Sequence, residues 1–234
     1  MTDQNPDFGT EDFVPTSAGH EQLLDLFEGT EFKVLGEYRT WTDAYFVLHD
    51  ESATWGIPGS PQLRAVHVSR DLRERTYQAD AAELPLYAMA ESWLISRGCP
   101  AGAIPTPAAR KSADDATRAL EARVREAGSR FALLTSYTDD QRAEPETAVV
   151  LRALDPQDSP EFRVLLESYD RWTGTHTLSE GGFATREDAA EWWGAWMEEE
   201  APPLVPPASP ARGPVSSSLP VAPSAPTVTR SPGR

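Results

Sequence analysis

Trp192, Trp193 and Trp196 are the strongest local signal in the chain. Tryptophan buries a large apolar area while keeping an N–H donor, so such a stripe either lines a core or anchors a partner. Residues 192 and 193 stand about 100° apart on a helix, an arc broad enough for one ring to pack outside its own core. These three indoles are the candidate interaction residues. The types that do covalent or metal chemistry give no comparable pattern. His20, His49, His67 and His176 are scattered, and none belongs to an H-E-x-x-H or other metal-like spacing. The stretch Gly56–Gly59 and the pair Gly181-Gly182 are too short and wrongly framed for a phosphate loop. No G-x-S-x-G elbow is present, and Cys99 lies among Pro and Gly without a nearby His, which reads as an inert thiol. No catalytic, cofactor-binding or metal residue is assigned, and no cofactor is expected. An enzyme with a non-local site remains an alternative, with His67, Tyr45 and Arg70 as the place to look.

Charge narrows the partners. The net charge of −16 disfavours phosphate backbones and anionic membranes, which need clustered Lys and Arg. It suits an unknown protein partner, possibly a basic one. Acids concentrate in residues 1–30, which contain seven Asp or Glu and no Lys or Arg, and in 161–200, which contain ten against three Arg. A single cysteine excludes an intramolecular disulfide. No apolar run approaches a membrane span and no leader pattern opens the chain, so the cytoplasm is the expected compartment. High Ala, Pro, Arg and Asp with little Lys suggests a GC-rich bacterial source.

The elements that would position these residues form a repeat. Ten residues recur at a constant offset of 99, among them Leu35/Leu134, Asp71/Asp170, Ala90/Ala189 and Trp93/Trp192. Leu23, Leu24 and Phe27 mark a short helix after Ser17, with Gly29 as its left-handed terminator. Four alternating segments up to Ala79 read as strands. Leu86, Met89, Ala90, Trp93 and Leu94 then give the i, i+3, i+4, i+7, i+8 stripe of a helix, opened by Pro85 and closed by Gly98. The second copy repeats this order. Ser112 opens it as a capping box, Gly128 ends its first helix, and Thr185 caps its last. The class is α+β, with tandem duplicated α-β-β-β-β-α modules. Short links favour an antiparallel meander in each, with helices on one face.

The expected divisions are a disordered N-terminus (1–16), a first module (17–98), a Pro/Ala connector (99–111), a second module (112–200) and a disordered Pro/Ser/Ala-rich tail (201–234). Duplicated units suggest a pseudo-dimeric monomer with a two-fold relation between the copies. The α-β4-α plan resembles, in topology, secretion-chaperone-like dimeric modules of bacteria. The functional expectation is a non-enzymatic protein-interaction protein, an adaptor or chaperone-like one. A further alternative is an acidic inhibitor or decoy of a basic nucleic-acid-binding protein, which would need carboxylates along one continuous ridge.

Overall fold

The structure is a computed structural model that describes residues 6–29, 31–107 and 110–207. In chain order the first module holds β1 (Val14–Pro15), α1 (Ala18–Asp25), β2 (Phe32–Arg39), β3 (Asp43–Asp50), the single turn α2 (Ala53–Gly56), β4 (Leu63–Asp71), β5 (Thr76–Leu84) and α3 (Tyr87–Ile95). The second holds β6 (Lys111–Ser112), α4 (Asp115–Glu126), β7 (Phe131–Asp139), β8 (Glu146–Ala153), β9 (Phe162–Asp170), β10 (Thr175–Phe183) and α5 (Arg186–Met197). The duplicated α+β plan is therefore present, and each antiparallel meander gains a fifth strand. Two residues before each first helix pair in parallel with the last long strand, giving the orders β1-β5-β4-β3-β2 and β6-β10-β9-β8-β7.

The recurring residues mark recurring geometry. Leu35 and Leu134 sit at a register shift in β2 and β7, so each first long strand carries a bulge at the same place. Asp71 accepts hydrogen bonds from the amides of Arg73 and Glu74, and Asp170 accepts them from Trp172 and Thr173, closing both hairpins. Gly128 does end its helix with φ of 55°, and Gly98 follows α3 at 99°, but Gly29 is not among the residues with positive φ. The cap of α4 is Asp114, whose side chain accepts from the amide of Thr117 at 2.7 Å. Ser112 instead lies in β6 and donates to Glu121. Thr185 caps α5 as expected.

The helices of each module, expected on one face, stand on opposite faces of their sheet. In the first, α1 brings Leu24 and Phe27 to Phe46, Leu48, Val66 and Val68. Helix α3 brings Tyr87, Ala90 and Leu94 to the alternate set, Tyr45, Val47, Leu63 and Ala65. In the second, α4 covers Val149, Leu151 and Leu165 with Leu120, while α5 covers Ala148, Val150 and Val164. The central strands β3 and β8 are buried on both faces. Their sequences DAYFVLHD and ETAVVLRA therefore run nearly continuously apolar and do not alternate.

The modules join through unlike surfaces. Helix α3, last in its module, packs against α4, first in the other. A two-fold would pair equivalent helices and would also bring α1 to α5. Instead the α1 core contains no residue of the second module, and the α5 core none of the first. The expected two-fold relation is thus replaced by a head-to-tail one. Leu86, 1% exposed, enters the second module's core beside Leu120, Val149 and Leu165. Glu91 accepts from Arg125 at 2.7 Å across the join, and the amide of Gly128 donates to Ser92 Oγ. Gly59 forms a bridge with Thr138. Its φ is +81°, and a Cβ there would meet the Tyr137 ring at 2.0 Å, so only glycine fits.

Both terminal segments are more ordered than expected as far as they are described. Phe8 is buried against Phe27 and Phe46, and the Phe8 carbonyl accepts from Arg70. Beyond α5, Leu204 joins the α5 core and lies over Gly181. Residues 1–5 and 208–234, also expected to be disordered, lie outside the described residues. The connector contributes Cys99 and Ile104 to the first module's core.

Replacing Leu86 by Ala removes a contact that belongs to both modules. Urea denaturation should show a loss of about 2–5 kcal/mol, the range for buried leucines. A change within roughly 0.5 kcal/mol, as at surface sites, would show that the join contributes nothing.

Candidate binding surfaces

The three indoles predicted as interaction residues are brought together, but as core. Trp192 and Trp196 are 6% and 3% exposed, and Trp193 packs partly buried against them. Their donors are satisfied within the chain. Trp192 Nε1 donates to the carbonyl of Pro202 at 2.9 Å, and Trp196 Nε1 to Glu146 Oε2 at 2.7 Å. The segment after α5 thus straps over the indoles, leaving beside them a pocket of about 530 Å³ that Arg142, Glu146, Pro202 and Leu204 also line. Trp93, equivalent to Trp192, has no such cover. It is half-buried, and the Arg97 guanidinium lies 3.3 Å from its ring centroid.

The exposed indoles are others. Trp41, Trp55 and Trp172 are 87%, 75% and 96% exposed, and Ile57 is exposed as well. Trp55 and Trp172 come from different modules, and the residue before each, Thr54 and Arg171, reaches the same acid. Asp140 Oδ2 accepts from Thr54 at 2.9 Å, and the Asp140 carbonyl accepts from Arg171 at 3.0 Å. Asp140 belongs to the connection from β7 to β8, where Asp139, Asp140, Glu144 and Glu146 stand against Arg142. Arg142 is held by Asp139 and Glu146 and donates to the carbonyl of Trp196, so Asp140 and Glu144 stand outside its ion pairs. Sequence reasoning missed these indoles because it looked for periodic stripes. A lone tryptophan inside a polar turn, as in Asp170-Arg-Trp-Thr-Gly174, was the available signal, since nothing in a four-residue polar turn can bury it.

Of the three residues considered for catalysis, His67 and Tyr45 meet and Arg70 is directed elsewhere. His67 Nε2 lies 3.0 Å from Asp43 Oδ1, and its ring stacks on Tyr45 at 4.6 Å. Arg70, three residues along the same strand, faces the opposite side and bonds the Phe8 carbonyl. Burial, then the charge of Glu91, push the Cys99 thiol up to about 11, so the thiolate is scarce at neutral pH. Among the described residues no group of three or more His, Cys, Asp or Glu could hold a metal ion, and no helix is long and apolar enough to cross a membrane.

One histidine is held in a defined way. His176 Nε2 is 2.7 Å from Glu121 Oε1, with Glu121 also accepting from Ser112. Burial opposes the charge on His176, but the Glu121 hydrogen bond and the charges of Glu167 and Glu121 outweigh it, and its pKa lies above the ordinary 6.5. Burial likewise opposes the charge on Glu121, and the bonds from His176 and Ser112 prevail, placing it below 4.5. The pair faces a cleft of about 640 Å³ between the modules, where Arg110 of the connector meets Glu167. A second cleft, of about 930 Å³, lies beyond the α3–α4 contact.

Comparison with known proteins gives no match to any family model, curated protein or solved structure. The functional reading therefore stands on the geometry of the chain itself.

Two measurements check these assignments. Trp192→Ala should cost about 3–5 kcal/mol, as for buried aromatics, whereas Trp172→Ala should stay within roughly 0.5 kcal/mol; equal effects would reverse the assignment of core and surface. The His176 contribution, with its folded pKa raised, is fully present below the unfolded value of 6.5 and lost as pH rises through the folded one. The stability difference between wild type and His176→Gln should therefore shrink as pH is raised past that window, and a difference that grows with pH would refute the charged pair.

Proposed function

We propose that the protein is a cytoplasmic, non-enzymatic interaction protein of the adaptor kind. It docks a basic partner on the patch formed by Trp55, Ile57 and Trp172. The observation that carries this reading is the exposure of two indoles, one from each module, each next in sequence to a residue that hydrogen-bonds Asp140. Large exposed aromatics lose favourable burial in water and mark contact surfaces when they cluster. The neighbouring Asp140 and Glu144 complement Lys or Arg side chains, which also stack on indole faces. Because the patch needs both modules, the duplication has a role in the reading: neither copy presents the surface alone.

Arginines interleave the carboxylates elsewhere on the chain, as in the Arg123–Glu180–Arg163 and Arg142–Glu146 pairs. That arrangement favours docking at a local patch over mimicry of a nucleic acid by an unbroken acidic ridge.

The test is affinity capture from native extract at low salt, with wild type compared against a Trp55→Ala/Trp172→Ala double variant. A basic protein retained by wild type, released by salt and lost in the double variant would support the reading. Equal recovery with both proteins would overturn it, since these side chains are exposed and their removal leaves the fold intact.

A further inference from the structure

We infer that the cleft of about 930 Å³ between the modules is a binding site for a small amphiphilic anion, an apolar body carrying one carboxylate or sulfonate. Sites for small ligands favour domain boundaries and this range of size, with mostly apolar walls and a few fixed polar groups. The cleft meets each requirement. Helix α3 forms one wall with Met89 and Trp93, and the second sheet forms the other with Phe131, Leu133 and Leu165. The end of α4 closes it with Val124 and Gly128. Leu133 is 39% exposed although it points into this concave surface.

Charge gives the ligand its sign. In a chain of net charge −16, the cleft collects Arg97, Arg123, Arg130 and Arg163 against Glu126, Asp158 and Glu180. Two of these carboxylates hold arginines: Glu180 accepts from Arg163 and Arg123, and Asp158 Oδ1 from Arg130, while Asp158 Oδ2 has no hydrogen-bond partner among the described residues. Arg97 has no comparable counter-charge. Its guanidinium lies flat on Trp93, the Asp80 carboxylate stands 3.9 Å from its Nε, and that Nε has no hydrogen-bond partner among the described residues. Burial holds the Arg97 pKa below its ordinary value, with Asp80 only partly offsetting it. Arg163 also lies over an aromatic ring, Phe131, and has an unpartnered Nε, but its charge is shared with Glu180. Two arginines resting on aromatic rings at the rim of an apolar cleft are a receptor for a charged head above an apolar body. The chain's own residues 208–234 do not suit this place, because they carry three Arg and no acid.

A matched pair of dyes tests the proposal on the full chain: anilinonaphthalene sulfonate and its uncharged counterpart, phenylnaphthylamine. The sulfonate should bind saturably, and tighter than the neutral dye by roughly tenfold at low salt, as a charge-assisted contact provides. Arg97→Gln should abolish that preference while the neutral dye is unaffected. Leu133→Trp and Ser129→Trp, which fill the cleft, should weaken both dyes. Ser129 is exposed, so its variant keeps the test valid if Leu133→Trp fails to fold. Displacement by dodecanoate would identify an aliphatic body, and displacement by naphthoate an aromatic one. Equal affinity for the two dyes, binding that survives in a folded cleft-filling variant, or displacement by neither acid would overturn the inference.

Discussion

The packing of α3 against α4, with Leu86 inserted into the second core, is the contact on which the rest of the molecule depends. Each sheet has two apolar faces, so each needs a cover on both sides, and a module supplies only two helices. The inner faces carry α3 and α4 respectively. Those helices leave their sheets only partly covered, and the shortfall is met by the other module. Leu86 fills the space beside Leu120, while Arg125 pairs with Glu91, whose carboxyl burial still holds above its ordinary value in spite of that bond. An ion pair in such a place is costly to break, because either partner alone would remain buried and unpaired. The same contact leaves open clefts on either side of it, since two helices between two twisted sheets cannot fill the whole gap.

The two exteriors are finished differently. At the α1 end, the N-terminal segment lays Phe8 against Phe27 and Phe46. At the α5 end, the segment beyond the helix sets Leu204 over Gly181 and offers the Pro202 carbonyl to Trp192. Both segments are poor in periodic pattern. Each is ordered by one or two apolar anchors and by backbone groups that find partners, which is enough to offset the entropy of a short stretch.

Much of the fold could be read from sequence because local rules were enough. Asp71 and Asp170 close hairpins through their own neighbouring amides, and Thr185 caps α5 through a residue three positions on; such contacts need no knowledge of the tertiary fold. The Leu35/Leu134 match was visible too, although its meaning as a bulge was not, since register is a property of two strands. What escaped was every assignment that depends on which face meets what. The runs in β3 and β8 are apolar on both sides, so alternation gave no warning that helices lie on opposite faces. Trp93 and Trp192 occupy equivalent positions and looked equivalent, yet one is sealed by a strap and the other borders a cleft. The exposed Trp55 and Trp172 carried no periodic signal, and the meeting of their neighbours Thr54 and Arg171 at Asp140 arises only from the way the modules join.

The head-to-tail join also gives the molecule a direction. A symmetric pair of copies is unchanged when the two are exchanged, but this one is not. Module order is therefore part of the structure in the way that strand order is part of a sheet. Placing the second module ahead of the first would set the α5 surface, already closed by its proline strap, against the α1 surface, already closed by Phe8 and its neighbours. The duplicated halves share a plan, but they are no longer interchangeable parts, and each carries on one side only the surface that the other recognises.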